Sequence, residues 1–335
     1  MTETDAQRAG LPPSHRMIAF RIIQLHFLIR SAAAPLYRRE LGLTAGEVGV
    51  MLSLGYWHRL TASQLRHMLG QSKSQISRLL APMLAQGYIT RAALRAPLVL
   101  TAEGTALLAR IRVLARDNTA RLFDDVGADQ LASLDRALGP LRAAAELLLE
   151  NAQTKADATD RLPAFPQPSP DEDEHEEGGD ADAAATAPSQ VLRRLTALSS
   201  VLRRSAALAF LEIVSLSGFK WVALLRIAEF EPLRLAELIA MTGRDKGQIG
   251  RVVDELEANG LIRRHAGHGR GRLTLRLTAQ GREVFALVTA EMQRREALLI
   301  AGLTDAECRS VIETIDTIAD NARRWIAENR GRPAC

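Results

Sequence analysis

The sequence predicts a mainly α-helical protein with small β-hairpins, built as two related domains on a shared helical platform. Apolar residues recur with a helical period over most of the chain. One segment occurs twice, and each copy contains two short apolar runs whose spacing is typical of a β-hairpin. A length of 335 residues suits about two domains. The repeat and the length therefore predict the same organisation.

The repeat is the most informative feature. Residues 60–91 align without gaps on residues 233–264. Identical residues recur in order along the match, among them Leu65 and Leu238, Gly70 and Gly243, Lys73 and Lys246, Arg78 and Arg251, and Gly87 and Gly260. The alignment then shifts by four residues, because Thr101-Ala-Glu-Gly104 corresponds to Thr278-Ala-Gln-Gly281. The second copy is therefore expected to have a longer loop in its hairpin.

The helices of the first copy can be placed from their start and stop signals. A long apolar helix is expected over residues 16–40, and Thr44-Ala-Gly-Glu47 is a capping-box pattern that opens a helix through Leu54. A short helix over about residues 62–69 and a turn at Gly70-Gln71 lead to a third helix, for which Ser72 is the expected N-cap. Asp245 takes the same N-cap position in the second copy.

Each third helix is followed by a hairpin and two longer helices. Gly87 and Gly260 are typical C-terminal caps. The expected strands are residues 88–91, 98–100, 261–264 and 273–277, and the expected later helices are residues 101–117, 129–151, 278–295 and 304–328.

The third helix is amphipathic in both copies. Its apolar stripe is formed by Ile76, Leu79, Leu80 and Met83, and by Ile249, Val252, Val253 and Leu256. Polar residues of the types that contact phosphates and base edges lie on the opposite face. With the flanking turns and hairpins, the candidate DNA-contacting residues are Ser72, Lys73, Ser74, Gln75, Ser77, Arg78 and Arg95, and Arg244, Lys246, Gln248, Arg251, Arg270 and Arg272.

This order of elements resembles the MarR family of winged helix-turn-helix regulators. The residues that carry the resemblance are Leu65–Arg91 with Leu100-Thr101-Ala-Glu-Gly104, and Leu238–Arg264 with Leu277-Thr278-Ala-Gln-Gly281. The resemblance implies a dimer held by its first and last helices, a recognition helix in the major groove of double-stranded DNA, a wing at the minor groove and a small-molecule effector pocket. Because family members are about half this length, we interpret the chain as a fused pseudo-dimer that is monomeric in solution, with further dimerisation as the alternative.

The wings depart from the family pattern. The Asp-x-Arg turn common in that family is absent from both Ala92–Pro97 and Gly267–Arg272. The first wing offers only Arg95, whereas the second offers Arg270 and Arg272 on a Gly-rich loop.

The charge divides the chain into three parts. Residues 1–151 and 190–335 each carry about +6, whereas residues 152–189 carry about −8. The middle part is rich in Pro, Ala, Asp and Glu, so we interpret it as a disordered linker between two winged-helix domains. Basic domains favour a polyanionic partner, although an Arg-rich surface alone accounts for the same charge.

Other function classes find little support in the sequence. Cys308 and Cys335 lack the spacing of a zinc site or a disulfide framework, and neither a cofactor motif nor an enzyme constellation is present. No signal segment or membrane span is expected, so the chain is interpreted as cytoplasmic. The candidate effector-pocket residues are His26, Arg30, Tyr37, Trp57, His58 and Trp221, for which core packing is the alternative. A winged-helix module that binds another protein is the alternative for the whole chain.

Overall fold

A computed structural model describes residues 12–69, 73–155, 187–216, 219–242, 246–266 and 273–330. Helices predominate in these ranges, and the strands form small antiparallel sheets, as the sequence predicts. None of the helices in this part of the chain has the length and apolar character needed to cross a membrane.

The first head, residues 45–122, follows a long N-terminal helix. The elements from the N-terminus are a 3-10 turn (Pro13–Arg16), α1 (Ile18–Leu41), α2 (Ala45–Trp57), α3 (Ala62–Leu69), α4 (Lys73–Ala85), β1 (Ile89–Thr90), β2 (Val99–Leu100), α5 (Ala102–Leu122) and α6 (Ala128–Lys155). Thr44 caps α2 in a full capping box with Glu47, which confirms the predicted start of this helix. Several helices run past their predicted ends, because the tertiary packing that extends them has no local sequence signal.

The second head, residues 220–300, repeats this order. Its elements and their neighbours are α7 (Ala187–Val214), α8 (Lys220–Glu229), β3 (Leu233–Arg234), α9 (Leu235–Thr242), α10 (Lys246–Ala258), β4 (Ile262–Ala266), β5 (Leu273–Leu277), α11 (Ala279–Ile300) and α12 (Asp305–Arg330). Hereafter α4 and α10 are called the recognition helices.

The two wing hairpins have the same pairing register. Ile89 pairs with Leu100 in the first head, and the equivalent Ile262 pairs with Leu277 in the second. Leu60 forms an isolated bridge to Leu98, where the second head pairs strand β3 with β5 through Leu233 and Leu275. The four extra residues of the second copy therefore lie between Ile262 and Leu277, where the paired strands are longer than those of the first hairpin. The longer loop expected from the sequence is thus wrong: the added residues extend the strands.

A threonine and a glycine join the wing to the next helix in the first head. The Thr101 hydroxyl donates to the Gly87 carbonyl at 2.5 Å, and it accepts from the Gly104 amide at 3.0 Å. Gly87 has a φ of +73°, which confirms the predicted helix cap. A Cβ on Gly104 would overlap the Tyr88 carbonyl oxygen, so only glycine fits this close approach.

The second head repeats this arrangement. The Thr278 hydroxyl donates to the Gly260 carbonyl at 2.6 Å and accepts from the Gly281 amide at 2.9 Å. Gly260 has a φ of +70°, and a Cβ on Gly281 would overlap the Leu261 carbonyl oxygen. The Thr-x-x-Gly motif of the sequence therefore has the same structural role in both heads.

The chain forms two compact units, and each draws on three separate stretches of sequence. One unit consists of Arg21–Arg142, Ala158–Ser200 and Leu303–Cys335, and it contains the first head. The other consists of Met1–Phe20, Ala143–Asp157 and Val201–Gly302, and it contains the second head. The predicted division into residues 1–151, 152–189 and 190–335 follows the sequence repeat, whereas the compact units follow the packing.

The N-terminal segment is part of the second-head unit. Met17 and Phe20 belong to its core, where they pack with residues of α7, α8 and the second head. The Ser14 amide donates to Glu229 at 3.1 Å, and Arg226 lies 4.7 Å from the Phe20 ring centroid and 2.6 Å from the His15 Nε2. Arg226 is only 4% exposed, and its ion pair with Glu229 compensates part of the cost of burial.

A buried carboxylate holds the start of α1 in the same unit. Glu296 of α11 accepts from the Ile18 amide at 2.6 Å and from the Ala19 amide at 3.2 Å. Burial raises the pKa of Glu296, and the two amide hydrogen bonds oppose that shift. The carboxylate therefore satisfies backbone donors that the first turn of a helix leaves unpaired.

The C-terminal helix is part of the first-head unit. The Asn321 side chain donates to the Leu122 carbonyl at 2.9 Å in a buried contact. Arg121 pairs with Glu328 at 2.6 Å and lies 5.2 Å from the centroid of the Trp325 ring. Helix α12 therefore covers the end of α5.

Both ends of the segment 152–189, which the sequence analysis interprets as a disordered linker, are helical. Residues 152–155 continue α6, and residues 187–189 begin α7, because both stretches extend helices whose inner residues are buried. Residues 156–186 lie outside the described residues.

Substituting the glycines of the two Thr-x-x-Gly motifs tests their structural role. Gly104→Ala and Gly281→Ala should each lower the free energy of unfolding by about 1–3 kcal/mol, because the new methyl group must displace a backbone carbonyl. Urea unfolding measures this change. Gly250→Ala is the matched control in a helix with open space around the new Cβ, and it should raise stability by about 0.5–1 kcal/mol. Equal effects of all three substitutions would contradict the close approach.

Candidate nucleic-acid interface

Each recognition helix buries one face. Ile76, Leu80 and Met83 of α4 are at most 4% exposed, and Ile249, Val253 and Leu256 of α10 are fully buried. Leu79 and Val252 are half-buried. The apolar stripe predicted from the sequence therefore fixes which face each helix turns outward.

The outward faces carry the predicted polar residues. Lys73, Ser74, Ser77 and Arg78 of α4 are exposed, and Gln75 is half-buried. In the second head, Lys246 and Arg251 are exposed, and Gln248 is half-buried. Ser72 and Arg244 lie outside the described residues, so their predicted contacts stay predictions.

The two arginines adopt the same arrangement on their helices. The Nε of Arg78 donates to the Ser74 carbonyl at 3.3 Å, and the Nε of Arg251 donates to the Gly247 carbonyl at 3.3 Å. Each Arg78 and Arg251 side chain is thus positioned along the exposed face by its own helix. Guanidinium groups placed in this way can form two parallel hydrogen bonds to a guanine edge.

The heads differ beside these arginines. Where α4 has Ser74 and Ser77, α10 has Gly247 and Gly250, and nothing lies within 4 Å of a Cβ built at Gly250. The second recognition helix therefore presents a flatter surface with fewer hydroxyl groups.

Arg264 links the second wing to its recognition helix through hydrogen bonds and ion pairs. Its amide donates to Glu257 at 3.1 Å, its Nη1 donates to the same carboxylate at 2.7 Å, and its Nη2 pairs with Asp254. Strand β4 and the last turns of α10 are thereby joined by charge-assisted hydrogen bonds. Arg270 and Arg272 of this wing lie outside the described residues.

The first wing uses the equivalent arginine differently. Arg91 corresponds to Arg264, and its Nη1 donates to the Leu94 carbonyl within the wing loop at 2.8 Å. The predicted contact residue Arg95 is exposed on this loop.

The predicted effector-pocket residues of the first-head unit occupy different environments. Tyr37 is buried, and burial raises its pKa while a hydrogen bond with Asn118 opposes the shift. Arg30 donates to the Ala45 carbonyl at 3.1 Å, and Trp57 is half-buried. His26 is half-buried on α1, and His58 is exposed after α2 with a φ of +55°.

Trp221 lies in the core of the second-head unit. It is 8% exposed, and its ring centroid lies 4.4 Å from that of Phe210. Core packing, the alternative for this residue in the sequence analysis, accounts for its surroundings.

Sequence reasoning did not single out Arg91 and Arg264. The repeat alignment contains the signal that would have identified their difference, because Asp254 and Glu257 of α10 correspond to apolar residues of α4. The histidine, aromatic and carboxylate contacts of the N-terminal segment had no such signal, because they join residues more than 200 positions apart.

These features define a winged helix-turn-helix protein. In each head two helices pack together, the second of them is the recognition helix with its polar face exposed, and a β-hairpin follows it. Residues 215–271 match the MarR family. By this winged-helix domain the chain belongs to the MarR family, whose regulator fold it shares.

Several solved structures contain chains that are similar to this one. A putative MarR-family transcriptional regulator from Listeria monocytogenes, in complex with a 26mer DNA, is 23% identical; the match covers 43% of this chain and 97% of that chain, with a TM-score of 0.39. MarR from Staphylococcus aureus, in complex with salicylate and kanamycin, is 20% identical over 39% and 89% of the two chains, with a TM-score of 0.36. A crystal structure of MarR is 30% identical over 39% and 98%, with a TM-score of 0.34. No curated protein matches the chain.

Removing Arg264 tests how the second wing is held. Arg264→Ala should lower the free energy of unfolding by about 1 kcal/mol, because partly exposed charge-assisted hydrogen bonds are lost. Amide hydrogen exchange in β4 should become faster. Arg263→Ala removes a neighbouring exposed arginine and should leave this exchange unchanged; the same acceleration in both variants would refute the fastening role.

Proposed function

We propose that this chain is a DNA-binding transcriptional repressor whose two winged-helix heads form an intramolecular pseudo-dimer on an imperfect palindrome. The observation that carries the proposal is the matching pair of exposed arginines. Arg78 and Arg251 each accompany an exposed lysine, and each recognition helix buries the opposite face. Repetition of these residue types on two such helices favours base-edge and phosphate contacts over a solvated surface.

The pseudo-dimer is supported by the composition of the compact units. The first-head unit includes the C-terminal helix, and the second-head unit includes the N-terminal segment. A homodimer clamped by its terminal helices would draw on two copies for such contacts, whereas this chain supplies them from its own two ends. This composition supports the proposal that a single chain supplies both halves of the arrangement that the family resemblance implies.

The charge distribution supports a polyanionic partner. Residues 1–151 and 190–335 each carry about +6. Neutralised phosphates release condensed counterions, so a basic head gains affinity for duplex DNA that falls steeply with salt.

Control by a small-molecule effector is part of the proposal and rests on the family resemblance. His26, Arg30, Tyr37, Trp57 and His58 of the first-head unit are the first positions to test, by measuring DNA release with candidate aromatic acids. The alternative function is a protein-docking module. In that case the two recognition helices would be similar because both heads have the same fold, and not because both bind DNA.

The arginines of the recognition helices are the direct test. Arg78→Ala and Arg251→Ala should each weaken binding to a duplex selected from a random pool by on the order of 1–3 kcal/mol, because a base-edge contact is lost. Sequence preference should relax in one half-site only. Fluorescence anisotropy at several salt concentrations measures the affinity and its salt dependence.

Arg323→Ala is the matched control for these two substitutions. It removes the same charge from an exposed site on α12, where Arg323 pairs with Asp320, and it should leave DNA affinity nearly unchanged. Wild-type affinity in both Arg78→Ala and Arg251→Ala, or weak salt-independent binding by the wild-type chain, would favour the docking module instead.

The operator of this pseudo-dimer should be asymmetric, with half-sites about one helical turn apart. The heads present different residues beside their arginines, so unlike half-sites are expected. Protection should extend further on the side of the longer second wing. Footprinting of the intact chain, with the mass of the complex measured separately, tests this expectation; two chains on a perfect palindrome would refute it.

A further inference from the structure

We propose that Leu94, at the tip of the first wing, is an apolar wedge that enters the minor groove and unstacks one base step of the half-site bound by the first head. The inference rests on the proposed function, because it requires this wing to lie against duplex DNA. It adds a specificity-determining residue whose type differs from the arginines expected at a wing.

Leu94 is unusually accessible for a large apolar side chain. It is 77% exposed, whereas the other exposed large apolar residues in the described part of the chain lie between 39% and 59%. Single exposed apolar residues are common on protein surfaces, so exposure alone assigns no role. The position of Leu94 and the way in which its backbone is held supply the rest of the argument.

The wing tip is a structured turn. The Arg91 Nη1 donates to the Leu94 carbonyl at 2.8 Å, and the Ala96 amide donates to the Ala93 carbonyl at 3.0 Å. Strands β1 and β2 close the loop at its base. The backbone at Leu94 is therefore already ordered, so insertion of its side chain costs little further conformational entropy.

Comparison of the two heads explains why Arg91 holds this turn. Its equivalent Arg264 is engaged by Asp254 and Glu257 of the second recognition helix. Ala81 and Leu84 occupy the corresponding positions of the first recognition helix. Without carboxylates there, the guanidinium of Arg91 turns to the wing loop.

The chemistry of the tip fits the minor groove better than a protein surface. Arg95 follows Leu94 and is exposed, so the tip combines an apolar side chain with a cation. A narrow minor groove has an enhanced negative potential that attracts arginine, and DNA-bending proteins insert leucine between base steps. The unstacking energy depends on the step, and flexible pyrimidine–purine steps should be preferred.

The test uses the full-length chain and its selected duplex, with 2-aminopurine replacing single adenines in the half-site of the first head. The loss of sequence preference in Arg78→Ala identifies that half-site. Binding of the wild-type chain should raise the fluorescence at one step, because the base there is unstacked. Leu94→Ala should abolish the rise and weaken binding about tenfold, whereas Leu94→Met should retain both.

Two controls separate the wedge from other roles of the residue. Leu147→Ala truncates another exposed leucine, on α6, and should change neither fluorescence nor affinity. Arg91→Ala keeps the leucine but removes the hydrogen bond to the tip, and it should reduce the fluorescence rise. Unchanged fluorescence and affinity in Leu94→Ala would overturn the wedge and leave the proposed function standing. A loss of self-association instead, seen by sedimentation, would assign Leu94 to a contact with a second copy. Failure of the wild-type chain to bind duplex DNA would overturn both proposals.

Discussion

The threonine hydroxyl that joins each recognition helix to its wing is the contact on which each head depends. Thr101 and Thr278 each donate to the glycine carbonyl that ends a recognition helix, and each accepts from the glycine amide of the next helix. The end of the recognition helix, the base of the wing and the start of a long helix therefore meet at one oxygen atom. The direction of the polar face relative to the hairpin is set there, because neither helix can rotate without breaking these hydrogen bonds.

Local features of the fold could be predicted from the sequence because their causes are local. Thr44 with Glu47, Gly87 and Gly260 act on their own backbone neighbours, so the residue types identify the helix ends. The buried stripe of each recognition helix follows from helical periodicity in the same way. The repeat alignment also located the four extra residues of the second hairpin, but these residues lengthen its paired strands and not its loop, because β4 and β5 pair over five residues and β1 and β2 over two.

Contacts between distant segments could not be predicted in this way. The placement of Met17 and Phe20 in the core of the second-head unit depends on residues of α8 and α11, far along the chain. Neither periodicity nor composition in residues 12–20 specifies such partners. For the candidate interface, the residue types on the recognition helices were predictable, whereas the divergence of Arg91 and Arg264 required the side-chain geometry of both wings.

The N-terminal segment belongs to the second-head unit and helix α12 belongs to the first-head unit, and this arrangement affects folding during translation. Domains of most proteins fold in order as they emerge, beginning with the N-terminal one. Here the first-head unit includes helix α12, which is translated after every stretch of the second-head unit. Until α12 has been made, the end of α5 lacks the cover of this helix, and the Leu122 carbonyl lacks its hydrogen bond from Asn321. Folding of the first-head unit is therefore completed only after all three stretches of the second-head unit have been made.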